Sequence, residues 1–239
     1  MKKLVLLVYC VLLMQSVSYG QVLISLLLGD KLNSDKLEFG LTTGLSMSQM
    51  TDLEQEAGLG AFQLGFYFDV KMKEGWSFAP SCLMISKMGG KGLEAYETGD
   101  PDMDIILAQG KVNRELSYIQ LPLLVRYKLK SRLYFNAGPQ VGLLRTAEDV
   151  FEIESGDYEG KIRYQVKGDY ARLDAGATVG LGYSLRPDKG MSLGVNYYFG
   201  LVDVSKAADD NYNRSWNIYA TIPIGVSKAE KKANKQAAQ

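Results

Sequence analysis

The sequence predicts an all-β fold: an eight-stranded antiparallel up-and-down transmembrane β-barrel with short periplasmic turns and longer outer loops. Three observations predict it. Stretch after stretch alternates apolar with polar residues, the period of a strand with two unlike faces. The runs reach about ten residues or more, the length that crosses a hydrocarbon slab when tilted. The connections between them are short and long in turn, as in outer-membrane barrels.

The first strand is expected at 38–50, where Phe39, Leu41, Leu45 and Met47 oppose Glu38, Gly40, Thr42, Gly44, Ser46 and Ser48. An acidic loop leads to a second at 61–72, with Phe62, Leu64, Phe66, Phe68 and Val70 against Gln63, Gly65, Tyr67, Asp69 and Lys71. Lys73-Glu74-Gly75 turns the chain into a third, 76–88, whose pattern is the least regular. After a long polar excursion, 89–115, comes a hairpin over 116–147 with Lys130 and Ser131 at its turn. Its first arm sets Ile119, Leu121, Leu123, Val125, Tyr127 and Leu129 against Tyr118, Gln120, Arg126 and Lys128; its second sets Leu133, Phe135, Ala137, Val141 and Leu143 against Tyr134, Asn136, Gly138, Gln140 and Gly142. A second excursion, 148–168, precedes strands at 169–185, 191–204 and 214–226, the first two joined by the turn Arg186–Gly190.

The two faces are assigned by glycine. Glycines 40, 44, 65, 138, 142, 176, 180, 182, 194, 200 and 225 share the polar face with Tyr67, Tyr118, Tyr134, Tyr170, Tyr198 and Tyr219. A narrow lumen needs such small residues for coiling and close approach. The apolar face then looks outward, to outer-membrane lipid. The rival is a soluble periplasmic lipocalin-like ligand carrier, whose polarity would be reversed. Pro80, Pro122, Pro139 and Pro223 fall inside the expected strands and call for bulges or waters, because a closed wall has no free edge.

The ends fit export. Lys2 and Lys3, the apolar run Leu4–Met14 and Ser18-Tyr19-Gly20 form a secretory signal over 1–20, with cleavage expected before Gln21. Residues 21–37 form a periplasmic lead-in, 38–226 the barrel and 227–239 a polar, basic periplasmic tail. Cys10 lies within the leader behind bulky Tyr9, which argues against lipid attachment, and Cys82 by itself forms no internal disulfide. The whole chain carries 27 basic and 27 acidic residues. Loss of the leader leaves a net charge of about −2, so nothing points to nucleic acid.

At the central hairpin the residues themselves are familiar. Tyr118-Ile119-Gln120-Leu121-Pro122-Leu123-Leu124-Val125-Arg126-Tyr127, then Ala137-Gly138-Pro139-Gln140-Val141-Gly142 and Gly180-Leu181-Gly182-Tyr183, resemble the PorT-like family of outer-membrane β-barrel proteins over about 38–226. The resemblance implies a small outer-membrane barrel, and PorT itself is associated with a protein-secretion apparatus. The matching residues are framework rather than a site. The chain departs from many outer-membrane proteins in ending Ala-Ala-Gln, without a terminal aromatic residue.

Catalytic chemistry has little to work with. The absence of histidine removes the commonest general base and the favoured zinc ligand, so no enzyme, cofactor or small-molecule substrate is expected. Gly58-Leu59-Gly60 neither follows a strand nor opens a helix as a nucleotide loop must. Five charged residues are read as inward-facing: Glu38, Asp69 and Arg126 near the periplasmic end, with Arg172 and Asp174 higher up. In so narrow a lumen they are expected to pair as a plug; the alternative is an ion path in a small-solute channel. The outer loops are acidic, and Asp100, Asp102 and Asp104 have the alternate spacing of a calcium loop without its glycine or closing glutamate. Divalent ions bridging that rim to lipid headgroups are a looser expectation. Partners would be met through the outer loops or the periplasmic face.

Overall fold

A computed structural model describes residues 33–34, 36–96, 104, 110–155, 158–187, 190–206 and 210–224. The leader at 1–20, most of the lead-in and the tail at 227–239 lie outside the described residues. The strands are β1 (Leu37–Met50), β2 (Ala57–Lys73), β3 (Trp76–Ile85), β4 (Lys87–Leu93), β5 (Lys111–Lys128), β6 (Leu133–Ser155), β7 (Tyr158–Gln165), β8 (Leu173–Ser184), β9 (Ser192–Gly200) and β10 (Asn213–Pro223).

They form one antiparallel sheet that closes on itself. Gly40 of β1 is partnered by Tyr67 of β2 on one side and by Pro223 of β10 on the other, so the first and last strands complete the ring. Two staves of the wall are built from two strands each. β3 and β4 part at Ser86, whose carbonyl still accepts the Tyr118 amide at 2.9 Å. β7 and β8 part at a 3-10 turn, Lys167–Asp169, held against β6 by Val166 N–H to Ala147 O (3.0 Å) and Leu144 N–H to Arg172 O (2.9 Å). Among the described residues ten strands therefore make eight staves, the number the alternation predicts.

The wall is taller than predicted on one side. Much of the expected excursions 89–115 and 148–168 is strand: β4, the start of β5, the end of β6 and β7. Alternation persists there, in Val112, Arg114 and Leu116 and in Ala147, Asp149 and Phe151. It is obscured because the inward set includes charge and because the β5–β6 register shifts between Ser117 and Tyr118. β6, with 23 residues, is about 75 Å long, far more than a bilayer needs. The last strand stops at Pro223, short of the expected 226; residues 225 and 226 lie outside those described.

Outside, the middle of the wall is apolar: Ile218 is 65% exposed and Leu45 64%, with Phe135, Leu181 and Leu193 alike. Inside, Thr42, Gln63, Gln120, Asn136, Gln140 and Thr178 are buried. This is the reverse of a lipocalin-like carrier, and that rival falls. Aromatic pairs flank the apolar band, Trp76–Tyr127 at the short-turn end and Tyr197–Trp216 toward the loops, each with ring centroids 4.7 Å apart. Such girdles sit at membrane interfaces. Beyond Trp216 the outer face turns charged, with Arg214 stacked 3.7 Å from the Phe199 centroid.

The prolines lie where the ladder makes no demand on them. Pro139 lies in a lapse of the β5–β6 register, between Pro122↔Gln140 and Val125↔Ala137, and Pro122 in a lapse of the β3–β5 register, between Pro80↔Leu123 and Leu83↔Gln120. Pro80 sits in the lapse between Tyr67↔Ser81 and Val70↔Phe78, and Pro223 ends β10. On the inner face tyrosines lie over glycines directly across the ladder. A Cβ on Gly40 would stand 2.6 Å from the Tyr67 ring, and one on Gly182 or Gly194 would strike Tyr134 or Tyr219. Here only glycine lets the ring lie flat on the opposite strand.

Candidate functional site

The interior is layered. At the short-turn end, successive inward positions of β2 and β5 bring Asp69 and Arg126 together, with Arg126 Nη1 2.7 Å from Asp69 Oδ2. Arg126 Nε also donates to Asn136 Oδ1 (3.1 Å), and its guanidinium lies 4.2 Å from the Tyr134 ring centroid. Asn136 Nδ2 donates to the Tyr219 hydroxyl (2.8 Å), which is 3.1 Å from that of Tyr134. Glu38 joins the layer by accepting the Tyr67 hydroxyl at 2.6 Å. Glu38, Asp69 and Arg126 thus converge in one layer.

Amides and hydroxyls fill the middle. Gln63 Nε2 donates to Asn217 Oδ1 (3.0 Å) and Ser86 Oγ (3.3 Å), and Thr178 donates to Gln140 (2.8 Å). The space left among them is a cavity of about 50 Å³. Asp174 lies higher, accepting Tyr198 Oη–H at 2.8 Å and Asn213 Nδ2–H at 2.9 Å. Arg172, expected to face inward at the level of Asp174, is exposed instead. It occupies the bend after the 3-10 turn, outside β8, so the strand's alternation does not extend to it.

Above Asp174 the bore is closed by an apolar layer, of whose members Tyr118, Tyr170 and Tyr198 alone were expected inside. Met50, Met88, Leu116, Leu144, Ala147, Val166, Tyr170 and Val204 form one buried cluster with Tyr118 and Tyr198. They come from β1, β4, β5, β6 and β9, and from the segments before β8 and β10. Val204 is drawn in by Ala171 N–H to Val204 O and Val204 N–H to Asn211 O, both 2.9 Å. Nearby, Arg114 grips Asp149 with two bonds, Nε to Oδ1 at 2.7 Å and Nη2 to Oδ2 at 2.6 Å. The Tyr96 hydroxyl adds a third at 2.6 Å. Continued alternation through 111–117 and 147–151 is the signal that could have found this pair.

The outer rim carries both signs of charge. Lys87 pairs with Glu115 (2.6 Å), Arg163 with Glu148 (2.6 Å), Lys111 with Glu56 (2.6 Å) and Lys161 with Glu152 (2.7 Å). The hydrogen bond from Arg163 holds the Glu148 carboxyl below its ordinary range, and Lys161 does the same for Glu152. Asp100 and Asp102 lie outside the described residues. Asp104 is described, and among the described residues no group of three or more His, Cys, Asp or Glu forms a metal site.

An antiparallel ring with an apolar waist, aromatic girdles and a polar interior defines a small membrane-spanning β-barrel. The chain belongs to the family of the outer membrane protein beta-barrel domain, whose model matches residues 30–206. Solved structures similar to it include Ail, the attachment invasion locus protein of Yersinia pestis, at 11% identity over 79% of this chain and 99% of that one, with a TM-score of 0.42. Neisserial surface protein A is 10% identical over 79% and 96% (TM-score 0.39), and OprG of Pseudomonas aeruginosa 10% over 78% and 91% (TM-score 0.33). No curated protein matches the chain.

Proposed function

We propose that this chain is a non-enzymatic outer-membrane barrel of the PorT-like kind, exported by a signal peptide removed before Gln21. It passes no solute and works by contact, engaging protein partners through its outer loops or its periplasmic face in envelope organisation or as an accessory to secretion. The short-turn end, where both termini emerge, faces the periplasm. The observation that carries this reading is the filled interior: charged, polar and apolar layers occupy the bore from the turns to the loops. Eight staves leave room for side chains and little else, which disfavours the small-solute channel. Absence of histidine from the sequence supports a role without catalysis.

Fractionation of cells expressing the full chain tests the reading. The protein is expected in the outer membrane, migrating faster in gel electrophoresis before boiling than after. A soluble periplasmic product, or mobility indifferent to boiling, contradicts it.

A further inference from the structure

The mouth at the short-turn end is a basin of about 430 Å³ whose floor is Arg126 with Asp69 and Glu38. The floor charges are committed to one another and to Tyr67, Asn136 and Tyr134. Above them the same inward positions continue along the strands as lysines. Lys71 and Lys73 follow Asp69 on β2, and Lys128 follows Arg126 on β5. Lys36 lies alongside, its carbonyl accepting the Lys71 amide at 2.8 Å. Against these four lysines the collar sets a single carboxylate, Glu74, among the residues lining the basin.

Lys128 Nζ donates to the Pro187 carbonyl at 2.7 Å and so ties two turns together, but like charges gathered at one mouth repel, and that bond does not account for Lys36, Lys71 and Lys73 beside it. They create a positive potential at the opening, focused by the low-dielectric wall around it. Lysine ammonium groups on flexible stems suit carboxylates that arrive in varied geometry. Trp76, besides its place in the outer girdle, lines the basin with Met72 and gives apolar contact there, which a peptide can use and a bare inorganic anion cannot. The basin has the volume of a small-ligand site, enough for a few side chains and far too little for a folded domain. The chain's own C-terminal tail is an unsuitable occupant, since Lys228, Lys231, Lys232 and Lys235 outnumber Glu230.

We infer that the short-turn mouth is a docking basin for an acidic, Asp/Glu-rich peptide segment of a periplasmic partner protein. The inference rests on the proposed barrel with this end facing the periplasm. It specifies the chemistry by which one face of that barrel engages a partner.

The test uses the full chain in lipid nanodiscs and fluorescein-labelled hexaglutamate as probe, read by anisotropy. Saturable binding is expected at low salt, weakening as ionic strength rises. The triple variant Lys71→Gln, Lys73→Gln, Lys128→Gln should bind about tenfold more weakly, and Lys73→Gln alone about twofold to threefold. The triple arginine variant and the loop-end control Lys87→Gln should stay within about twofold of wild type. Absence of saturable binding by the wild type overturns the inference, as does equal binding by the glutamine and wild-type proteins. Complete displacement by millimolar inorganic phosphate at constant ionic strength overturns it too, in favour of a small-anion site. Mobility before and after boiling is read on the same samples. Loss of the shift in the wild type counts against the barrel itself, whereas an intact shift without binding counts against the basin alone. If the triple variant loses the shift, Lys73→Gln decides.

Discussion

The two ends of the barrel each bury an arginine–aspartate pair, and they do so in opposite surroundings. At the short-turn end Arg126 and Asp69 form the floor of an open basin, and Arg126 has further partners in Asn136 and the Tyr134 ring. At the loop end Asp149 is wholly buried, with Arg114 and Tyr96 on its oxygens and the apolar cluster close by. A charge near water can be resolvated when its partner is lost; one shut behind apolar side chains cannot. The same chemical pair therefore tunes a mouth at one end and locks a seal at the other.

The largest expected effect comes from breaking the seal pair. Arg114→Ala strands the wholly buried Asp149 carboxylate and should cost about 3–5 kcal/mol, measured by urea unfolding from lipid vesicles. Arg126→Ala, by contrast, should cost about 2 kcal/mol, because the Asp69 carboxylate it leaves lines the basin and keeps part of its exposure to water. Equal losses at the two ends would erase the distinction drawn between them. A smaller effect is expected at the tyrosine–glycine contacts that shape the interior. Gly182→Ala forces the Tyr134 ring to move and should cost about 1–3 kcal/mol. Pairing it with Tyr134→Ser should recover part of that loss, with a coupling of about 0.5–3 kcal/mol in a double-mutant cycle.

The smallest effect belongs to the rim. Because Glu148 and Glu152 titrate below their ordinary values in the folded protein, their stabilisation is fully present above the unfolded-state value and is lost as pH falls through the folded one. Arg163 is half exposed, so the Glu148 pair is worth at most about 1 kcal/mol. Melting followed across that acidic window should show Glu148→Gln less sensitive to pH than wild type. An identical pH dependence would remove Glu148 from the account.

Much of the wall was legible because lipid enforces alternation. In β2 every outward position from Phe62 to Val70 is apolar, and in β1, β8 and β9 glycine marks the opposite face. Legibility failed where the wall leaves the membrane. Once water bathes the outer side, Glu115 and Glu148 can stand outward while Arg114 and Asp149 turn in, and alternation no longer separates apolar from polar. Of the inward charges, Glu38, Asp69 and Arg126 were readable because each lies within an unbroken strand. Arg172 was misread because it stands in a bend between the 3-10 turn and β8, outside the ladder, and no residue type there announces the bend. Part of the apolar seal was hidden for a different reason: Val166 and Val204 come from segments between strands, where periodicity carries no information, whereas Tyr170 was read as inward.

The central claim is that the bore is closed by the Leu116–Leu144–Val204 cluster while its other mouth is open. Planar-bilayer recording of the purified full chain tests it most directly. No current steps above the bare-bilayer baseline are predicted for the wild type. Stable ohmic steps from the wild-type protein would contradict the seal and make the barrel a channel.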